Sequence, residues 1–371
     1  MTKKEKILIL TLHTFSLTGG IEKVCRCLGK IFSDLQDESK LPFKLFSLHD
    51  RRSDLDKKYV KQGNFRGFNG SAIAFGISSL FIGIRSSQVI LSHVNLLLFA
   101  KLIKLISPQT KIIMFAHGIE VWGSLAAWKK SFLQLHVEIW AVSAFTAKKL
   151  VDIHQLDVKK IKIINNCLDP FFEFPTNLDK PLSLLRKQNL TNNQPILFTL
   201  TRLSFQESYK GYDQVLRVMP NLIKKFPTMH YIVAGKADDL ERTRIENLIH
   251  QLGISNHVTM VGFIKNEEVT NYFCLSDVFV MPSTMEGFGI VFIEAAACGV
   301  PIIGGNKDGS IDALLNGELG ALVDPEDLDS LSKAIEKSLL SKHNKNSIQQ
   351  IAKTNFSFQQ YTEKIKRALN F

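Results

Sequence analysis

The sequence predicts an α/β protein made of two doubly wound, parallel-sheet domains. Three observations lead there. The chain has 371 residues, and at roughly 100–200 residues per domain that is enough for two separate cores. Short β-rich apolar runs alternate with helical stretches from one end to the other, the pattern of βαβ units. Near the middle, Cys167 to Gln194 interrupts that alternation with Pro170, Pro175, Pro181 and a polar Gln-Asn-Leu-Thr-Asn-Asn-Gln run, the composition of a linker.

The first strand is expected at Lys6–His13. Basic residues before a short apolar run imitate a secretory signal, but no small-residue cleavage site follows, and Gly19-Gly20 arrives where a strand would end. Further strands are expected at Phe43–Leu48, Gln88–His93, Lys111–His117, Glu138–Ser143 and Ile161–Asn165, with helices between most of them. The weakly polar stretch from Gly67 to Ile84 contains Asn69, Ser71, Ser78, Ser79 and several glycines before Arg85, which argues against a membrane-spanning helix. In the second half the expected strands are Pro195–Thr201, His230–Gly235, His257–Gly262, Val278–Pro282, Pro301–Gly304 and Ala321–Val323. The final stretch reads as a helix with Tyr361, Ile365 and Leu369 on one side. The expected organisation is thus an N-terminal domain over 1–168, a linker over 169–194 and a C-terminal domain over 195–356. The last helix, 357–371, is expected to pack back on the first domain.

Composition excludes several classes. Apolar residues make up 45% and charged residues 22%, with 22 Gly and 11 Pro, which is the balance of a folded soluble protein and not of a fibrous or disordered one. Five scattered cysteines, an odd number, do not form a disulfide framework and suit a reducing compartment. The net charge of +11 is unevenly placed: residues 1–170 carry 25 Lys/Arg against 13 Asp/Glu, and residues 171–371 carry 21 against 22. All the excess lies in the first half, so that half is expected to meet a negatively charged partner such as an anionic membrane surface, an acidic substrate or nucleic acid. Lys57 to Phe68 mixes cations with Tyr59, Phe65 and Phe68, and is expected to be an ordinary surface loop, to stack on a single strand or to dip aromatics into a lipid interface.

The densest cluster of chemistry runs from Met281 to Pro301. A strand ends near Pro282, a loop carries Glu286, Gly287, Phe288 and Gly289, and an alanine-rich helix follows with Glu294 about one turn in. Unpaired N–H groups at such a helix start suit a phosphate, and each carboxylate can accept paired hydrogen bonds from a vicinal diol. At the end of the second domain's first strand stand Arg202 and then Lys210-Gly211, a fork and a point charge for a departing diphosphate. In the first half, Thr18-Gly19-Gly20-Ile21-Glu22 follows strand one. Two adjacent glycines do not make the Gly-x-Gly-x-x-Gly dinucleotide fingerprint. Phe115-Ala116-His117-Gly118 ends another strand. Asp54-Leu55-Asp56 lies among Arg51, Arg52, Lys57 and Lys58, which neutralise it, and Cys25-Arg26-Cys27 lacks partner ligands, so no metal site is expected. There is no nucleophile elbow and no P-loop.

Together these residues resemble the Glu-x7-Glu signature and the Arg…Lys-Gly pair of retaining glycosyltransferases with the GT-B fold, most closely glycosyltransferase family 4 (glycosyl transferases group 1). The resemblance covers essentially the whole chain. It implies two Rossmann-like domains facing each other across a cleft, with the donor held by the C-terminal one and the acceptor by the N-terminal one. It implies that Glu286 contacts the donor sugar and Glu294 the ribose, that Phe288, Gly289 and Ile290 lie against sugar and phosphates through their backbone, and that Arg202 and Lys210 act on the diphosphate. By the same resemblance His117 lies near the donor sugar, Gly19, Gly20, Gly235 and Gly287 line the donor, Ser143 positions, and Asn165 to Asp169 occupies the interdomain hinge. Thr201 stands where the family usually has Gly before the Arg, and the hinge's Gly is missing from Asn165 to Asp169. The expected catalytic set is His117, Arg202, Lys210 and Glu286, with no cofactor and no metal. The expected reaction moves a hexose-type sugar from a UDP- or GDP-sugar to a hydroxyl of a glycan or lipid-linked acceptor, in cell-surface polysaccharide or lipopolysaccharide assembly. The expected location is cytoplasmic, including peripheral attachment to the inner face of the cytoplasmic membrane through the basic half. Two other readings stand beside it: a hydrolysing nucleotide-sugar epimerase on the same fold, and a non-catalytic nucleic-acid-binding protein that gives no role to Glu286 or Glu294.

Overall fold

The computed structural model describes residues 6–370. Lys3 and Lys4 ahead of the first strand and Phe371 of the expected last helix lie outside the described residues. The chain divides into two compact units, Met1–Phe171 with Phe358–Phe371, and Phe172–Ser357.

The first unit holds a seven-stranded, all-parallel sheet: β1 (Ile7–Thr11), β2 (Phe43–Ser47), β3 (Phe65–Gly67), β4 (Gln88–Leu91), β5 (Lys111–Ala116), β6 (Val137–Ala141) and β7 (Ile161–Ile163). Their order is β3-β2-β1-β4-β5-β6-β7. The chain therefore starts at the centre, winds outward to β3, returns across β1 to β4 and winds outward the other way, which is the doubly wound topology. Its helices are α1 (Gly20–Ser39), α2 (Ala72–Gly83), α3 (Leu97–Ile106), α4 (Ile119–Trp122), α5 (Ala127–His136) and α6 (Ala144–His154). Central strands such as Ile7–Leu10 are buried along their whole length, as expected of a parallel sheet covered on both faces.

The second unit begins with α7 (Leu182–Lys187). Its six-stranded sheet consists of β8 (Ile196–Leu200), β9 (His230–Ala234), β10 (Val258–Gly262), β11 (Val278–Met281), β12 (Ile302–Gly305) and β13 (Gly320–Val323). The order β10-β9-β8-β11-β12-β13 repeats the same winding. Helices α8 (Tyr212–Lys225), α9 (Asp239–Gln251), α10 (Asn266–Leu275), α11 (Ile290–Ala297), α12 (Ser310–Ala313), α13 (Leu328–Leu340) and α14 (Lys345–Phe356) accompany it. The last helix, α15 (Phe358–Leu369), groups with the first unit. It buries Tyr361, Ile365 and Leu369, and the Lys162 ammonium donates to the Ala368 carbonyl at 3.0 Å.

Two expectations need correction. The Lys57–Phe68 stretch is not a solvent-facing loop with free aromatics. Tyr59, Phe65 and Phe68 are buried, Phe65 packs edge-on against Phe15, Phe68 against Phe46, and Phe65 opens the edge strand β3. The aromatics serve the core while the intervening cations face outward, a split that a three-residue strand is too short to announce by alternation. The segment read as linker also carries a helix, α7. Pro181 supplies its N-cap, with φ already near helical values, and Leu184 and Leu185 are buried.

Candidate functional site

In doubly wound sheets ligands gather beyond the carboxyl ends of the strands where the winding reverses. In the second unit that reversal lies between β8 and β11, and Lys210 and Glu286 stand on the loops that follow those two strands. The Lys210 ammonium meets the Glu286 carboxylate at 2.5 Å, with both side chains largely buried. Burial alone would lower the Lys210 pKa, but attraction and hydrogen bonding to Glu286 outweigh it and hold the ammonium above the ordinary lysine value. A fixed cation thus sits at the switch point across the working pH range.

Backbone contacts hold these loops together. The Thr284 N–H donates to the Tyr209 carbonyl at 3.0 Å. Gly211, at φ 86°, lies where a Cβ would be 2.3 Å from the Pro282 carbonyl oxygen, so only glycine allows both the left-handed turn and the approach. A third loop, after β12, supports Glu286 from below. Asp308 Oδ2 accepts the Glu286 N–H at 2.7 Å and the Ser283 hydroxyl at 2.7 Å, and Oδ1 accepts the Ser310 N–H at 2.9 Å. Beside it the Gly309 N–H donates to the Glu286 carbonyl at 2.8 Å. Asp308 and Gly309 escape a reading of the sequence, because Lys-Asp-Gly after a strand has the composition of any turn.

Helix α11 starts at this same place. Gly289, at φ 84°, is its N-cap and no side chain caps it, so its first N–H groups are available to an anion. Phe288 is buried and its ring packs on Phe356, which leaves only its backbone for a ligand. Ile290 and Glu294 are buried on the helix. Arg202 follows β8 as an exposed guanidinium that donates to Glu207 at 2.9 Å. Gly235 ends β9, and a Cβ there would lie 1.6 Å from the Thr201 carbonyl oxygen. The backbone before Arg202 thus passes so near Gly235 that no side chain fits there.

The other expected residues lie in the first unit. His117 follows β5. Burial pushes its imidazole pKa down to about 3, the Coulombic effect of His93 acts the same way, and a hydrogen bond to the Ser92 backbone only partly opposes them. The ring is neutral at physiological pH. Its Nε2 is buried with no hydrogen-bond partner among the described residues, so a lone acceptor is offered to a hydroxyl. Gly19 is the N-cap of α1 without a side-chain cap, and the preceding loop is fastened by Asp50, which accepts from the N–H groups of Thr14 and Phe15 at 2.9 and 3.0 Å. Ser143 accepts the Thr146 N–H as the cap of α6, and Asp169 accepts the Tyr59 hydroxyl at 2.7 Å; within this unit both bonds secure local structure. Among the described residues no group of three or more His, Cys, Asp or Glu side chains is placed to hold a metal ion, and none of their helices is long and apolar enough to cross a membrane.

Asp308 is expected to give the site a pH dependence. Burial raises its carboxyl to about 6, against the hydrogen bonds it accepts from Ser310, Glu286 and Ser283. Protonation places a hydrogen on a group that accepts three bonds, so the Glu286 loop loosens and turnover is expected to fall as pH drops through about 6. The stability effect has the opposite sign. A carboxyl with a raised folded-state pKa contributes most below its unfolded value, and that contribution is lost as pH rises through about 6. A turnover–pH profile of Asp308→Asn is expected to be low and to lack the acid limb; a limb that survives the substitution belongs to another group.

Residues 183–355 match the family model described as glycosyl transferases group 1. A GDP-mannose-dependent alpha-(1-6)-phosphatidylinositol monomannoside mannosyltransferase of Mycolicibacterium smegmatis is 31% identical over 158 residues, 41% of this chain and 40% of that protein. A 2-deoxystreptamine N-acetyl-D-glucosaminyltransferase of Niallia circulans is 31% identical over 196 residues, 52% of this chain and 49% of that protein. The chain spans about half the length of these curated relatives or less. Among solved structures, HepE of Anabaena in complex with UDP and glucose superposes with a TM-score of 0.79, 17% identity and 99% coverage of both chains. A glycosyltransferase of Rickettsia africae gives 0.80, with 18% identity and coverage of 98% and 97%. Each unit is thus a Rossmann-like domain of the GT-B fold, and the stretch 183–355, where the charged loops converge, matches the glycosyl transferases group 1 model.

Proposed function

We propose that this chain transfers a hexose-type sugar from a nucleotide diphosphate sugar to a hydroxyl of a glycan or lipid-linked acceptor, with retention at the anomeric carbon and without a metal ion. The observation that carries this reading is the Lys210–Glu286 pair at the strand reversal of the second unit. A cation and a carboxylate held side by side match the two ends of the reacting bond, the diphosphate and the sugar.

On donor entry Lys210 exchanges Glu286 for phosphate oxygens, and the freed carboxylate accepts hydroxyl hydrogen bonds from the sugar. Breaking the bond between the anomeric carbon and the phosphate oxygen leaves both bonding electrons on the diphosphate. Lys210, Arg202 and the first N–H groups of α11 stabilise that charge where it develops. The acceptor oxygen attacks from the face the diphosphate leaves and its proton passes to a phosphate oxygen, so no enzyme nucleophile is needed. Neutral His117 accepts a sugar hydroxyl at Nε2. Cell-surface polysaccharide or lipopolysaccharide assembly is the proposed setting, in the cytoplasm at an anionic membrane surface met by the basic first half.

The test is mass spectrometry of purified chain with a panel of UDP-, GDP- and ADP-sugars. GDP-mannose and UDP-glucose lead the panel, because a relative is named for the first and a solved neighbour holds the second. Turnover of one donor with a retained anomeric configuration is the expected result, and no binding of any nucleotide sugar ends the reading. Glu294→Ala is expected to weaken donor binding by about tenfold, the worth of a hydrogen bond to a charged group, with a smaller change in turnover. Calorimetric titration with nucleotide against steady-state turnover separates the two.

A further inference from the structure

Helices α2 and α3 lie side by side on the first unit. A Cβ on Gly76 of α2 would be 3.1 Å from the Phe99 ring of α3, and one on Gly83 would be 2.4 Å from Ile103. Their outer faces are apolar. Ile73, Ile77 and Phe81 form an exposed stripe at helical spacing on α2, and Leu98, Leu102 and Leu105 another on α3, with exposures of 42–79%. α2 carries no charged residue at all. Contiguous apolar surface of this kind marks a surface that meets something other than water.

The surrounding charge says what. From Lys57 to Ile119 the sequence contains Lys57, Lys58, Lys61, Arg66, Arg85, Lys101, Lys104 and Lys111 but not one Asp or Glu. Two of these cations edge the apolar surface. The Arg85 guanidinium lies 3.8 Å over the Phe81 ring, and Lys101 lies 5.4 Å from the ring of Trp128, a partly exposed tryptophan at the start of α5. An apolar centre edged by long cations and a tryptophan fits the boundary between acyl chains and anionic headgroups. A second copy of the chain on this face would bring the same cations against each other with no acid among them, so the charge argues against a dimer.

We infer that the α2–α3 face of the first unit docks on an anionic lipid bilayer, with Ile73, Ile77 and Phe81 entering the acyl boundary and the edging Arg and Lys engaging headgroups. This deepens the membrane part of the proposed function and moves its contact away from the Lys57–Phe68 stretch, whose aromatics are buried. It also places the enzyme at the surface where a lipid-linked acceptor is found.

The experiment uses the full chain in flotation with vesicles of phosphatidylcholine alone and of phosphatidylcholine with phosphatidylglycerol. Tryptophan fluorescence is recorded with and without brominated acyl chains, in the original chain and in Trp128→Phe, which separates the Trp128 signal from that of Trp122 and Trp140. Binding to the anionic vesicles, weakened by salt, with Trp128 quenching is expected, and Ile77→Glu combined with Phe81→Glu should reduce it by about tenfold or more. Arg85→Glu with Lys101→Glu serves as a second variant that leaves the apolar stripe intact and should also weaken binding. Donor binding in solution is measured on all variants and should stay at the original level, which shows that the chain is folded. Binding by both double variants as strong as that of the unaltered chain overturns the inference, as does a dimer in solution that Ile77→Glu/Phe81→Glu dissociates without any vesicle binding. Loss of vesicle binding with donor binding intact supports the docking face, whereas absence of donor binding in the unaltered chain counts against the proposed transferase alone.

Discussion

Lys210→Ala is expected to lower donor turnover by about 10²–10³-fold, the cost of removing one preorganised donor from developing negative charge, about 2.7–4 kcal/mol of transition-state stabilisation. Donor affinity changes far less, because the ammonium is already engaged by Glu286 before the donor arrives and much of its phosphate attraction is spent on leaving that partner. Arg202→Ala is expected to produce the same kind of loss with smaller size, since its guanidinium is solvent-exposed and tied to Glu207, where water weakens each charge interaction. Lys210→Ala also leaves the Glu286 carboxylate partly buried without its cation, and that cost belongs to stability. A double-mutant cycle with Glu286→Gln separates the two effects: the pair term appears in thermal unfolding, the leaving-group term in turnover. Unchanged turnover in both Lys210→Ala and Arg202→Ala would remove the leaving-group argument.

The strands were the most legible part of the chain. Twelve of those expected fall on observed strands, because parallel strands buried on both faces are written as uninterrupted apolar runs. The thirteenth, β3, is three residues long at a sheet edge and lies among cations, so neither length nor alternation marks it. The cations and carboxylates of the second unit were legible as residues, since Arg202, Lys210 and Glu286 follow recognisable strand ends. Their pairing was not, because Lys210 and Glu286 are 76 positions apart and meet only through the reversal of strand order. Asp308 was illegible for a different reason: its role consists of accepting two backbone N–H groups and a hydroxyl, and backbone partners leave no trace in the side-chain sequence. The apolar stripe of α2 was visible as composition, but composition alone does not say which side of a helix the fold covers.

Gly309→Ala is expected to abolish most activity without touching the substrate. The φ of Gly309 is −69°, an ordinary value for any residue, so the substitution tests space and not backbone conformation. An added Cβ would lie 2.1 Å from the Gly287 carbonyl oxygen, 2.4 Å from its carbon and 2.8 Å from the Glu286 oxygen. All three are backbone atoms, and no flexible side-chain end can swing aside. The Glu286–Gly287 segment must move, and the bond from the Gly309 N–H to the Glu286 carbonyl strains or breaks with it. Overpacking of this size costs about 1–3 kcal/mol of stability, while a displacement of about 1 Å at a catalytic group costs on the order of 10²-fold in rate. Activity is therefore lost well before the fold. Thermal unfolding and turnover of Gly309→Ala, beside Gly63→Ala where an added Cβ meets nothing within 4 Å, make the comparison. Full turnover in Gly309→Ala would mean that the loop after β12 does not hold Glu286 in its working position, and the support assigned to Asp308 would fall with it.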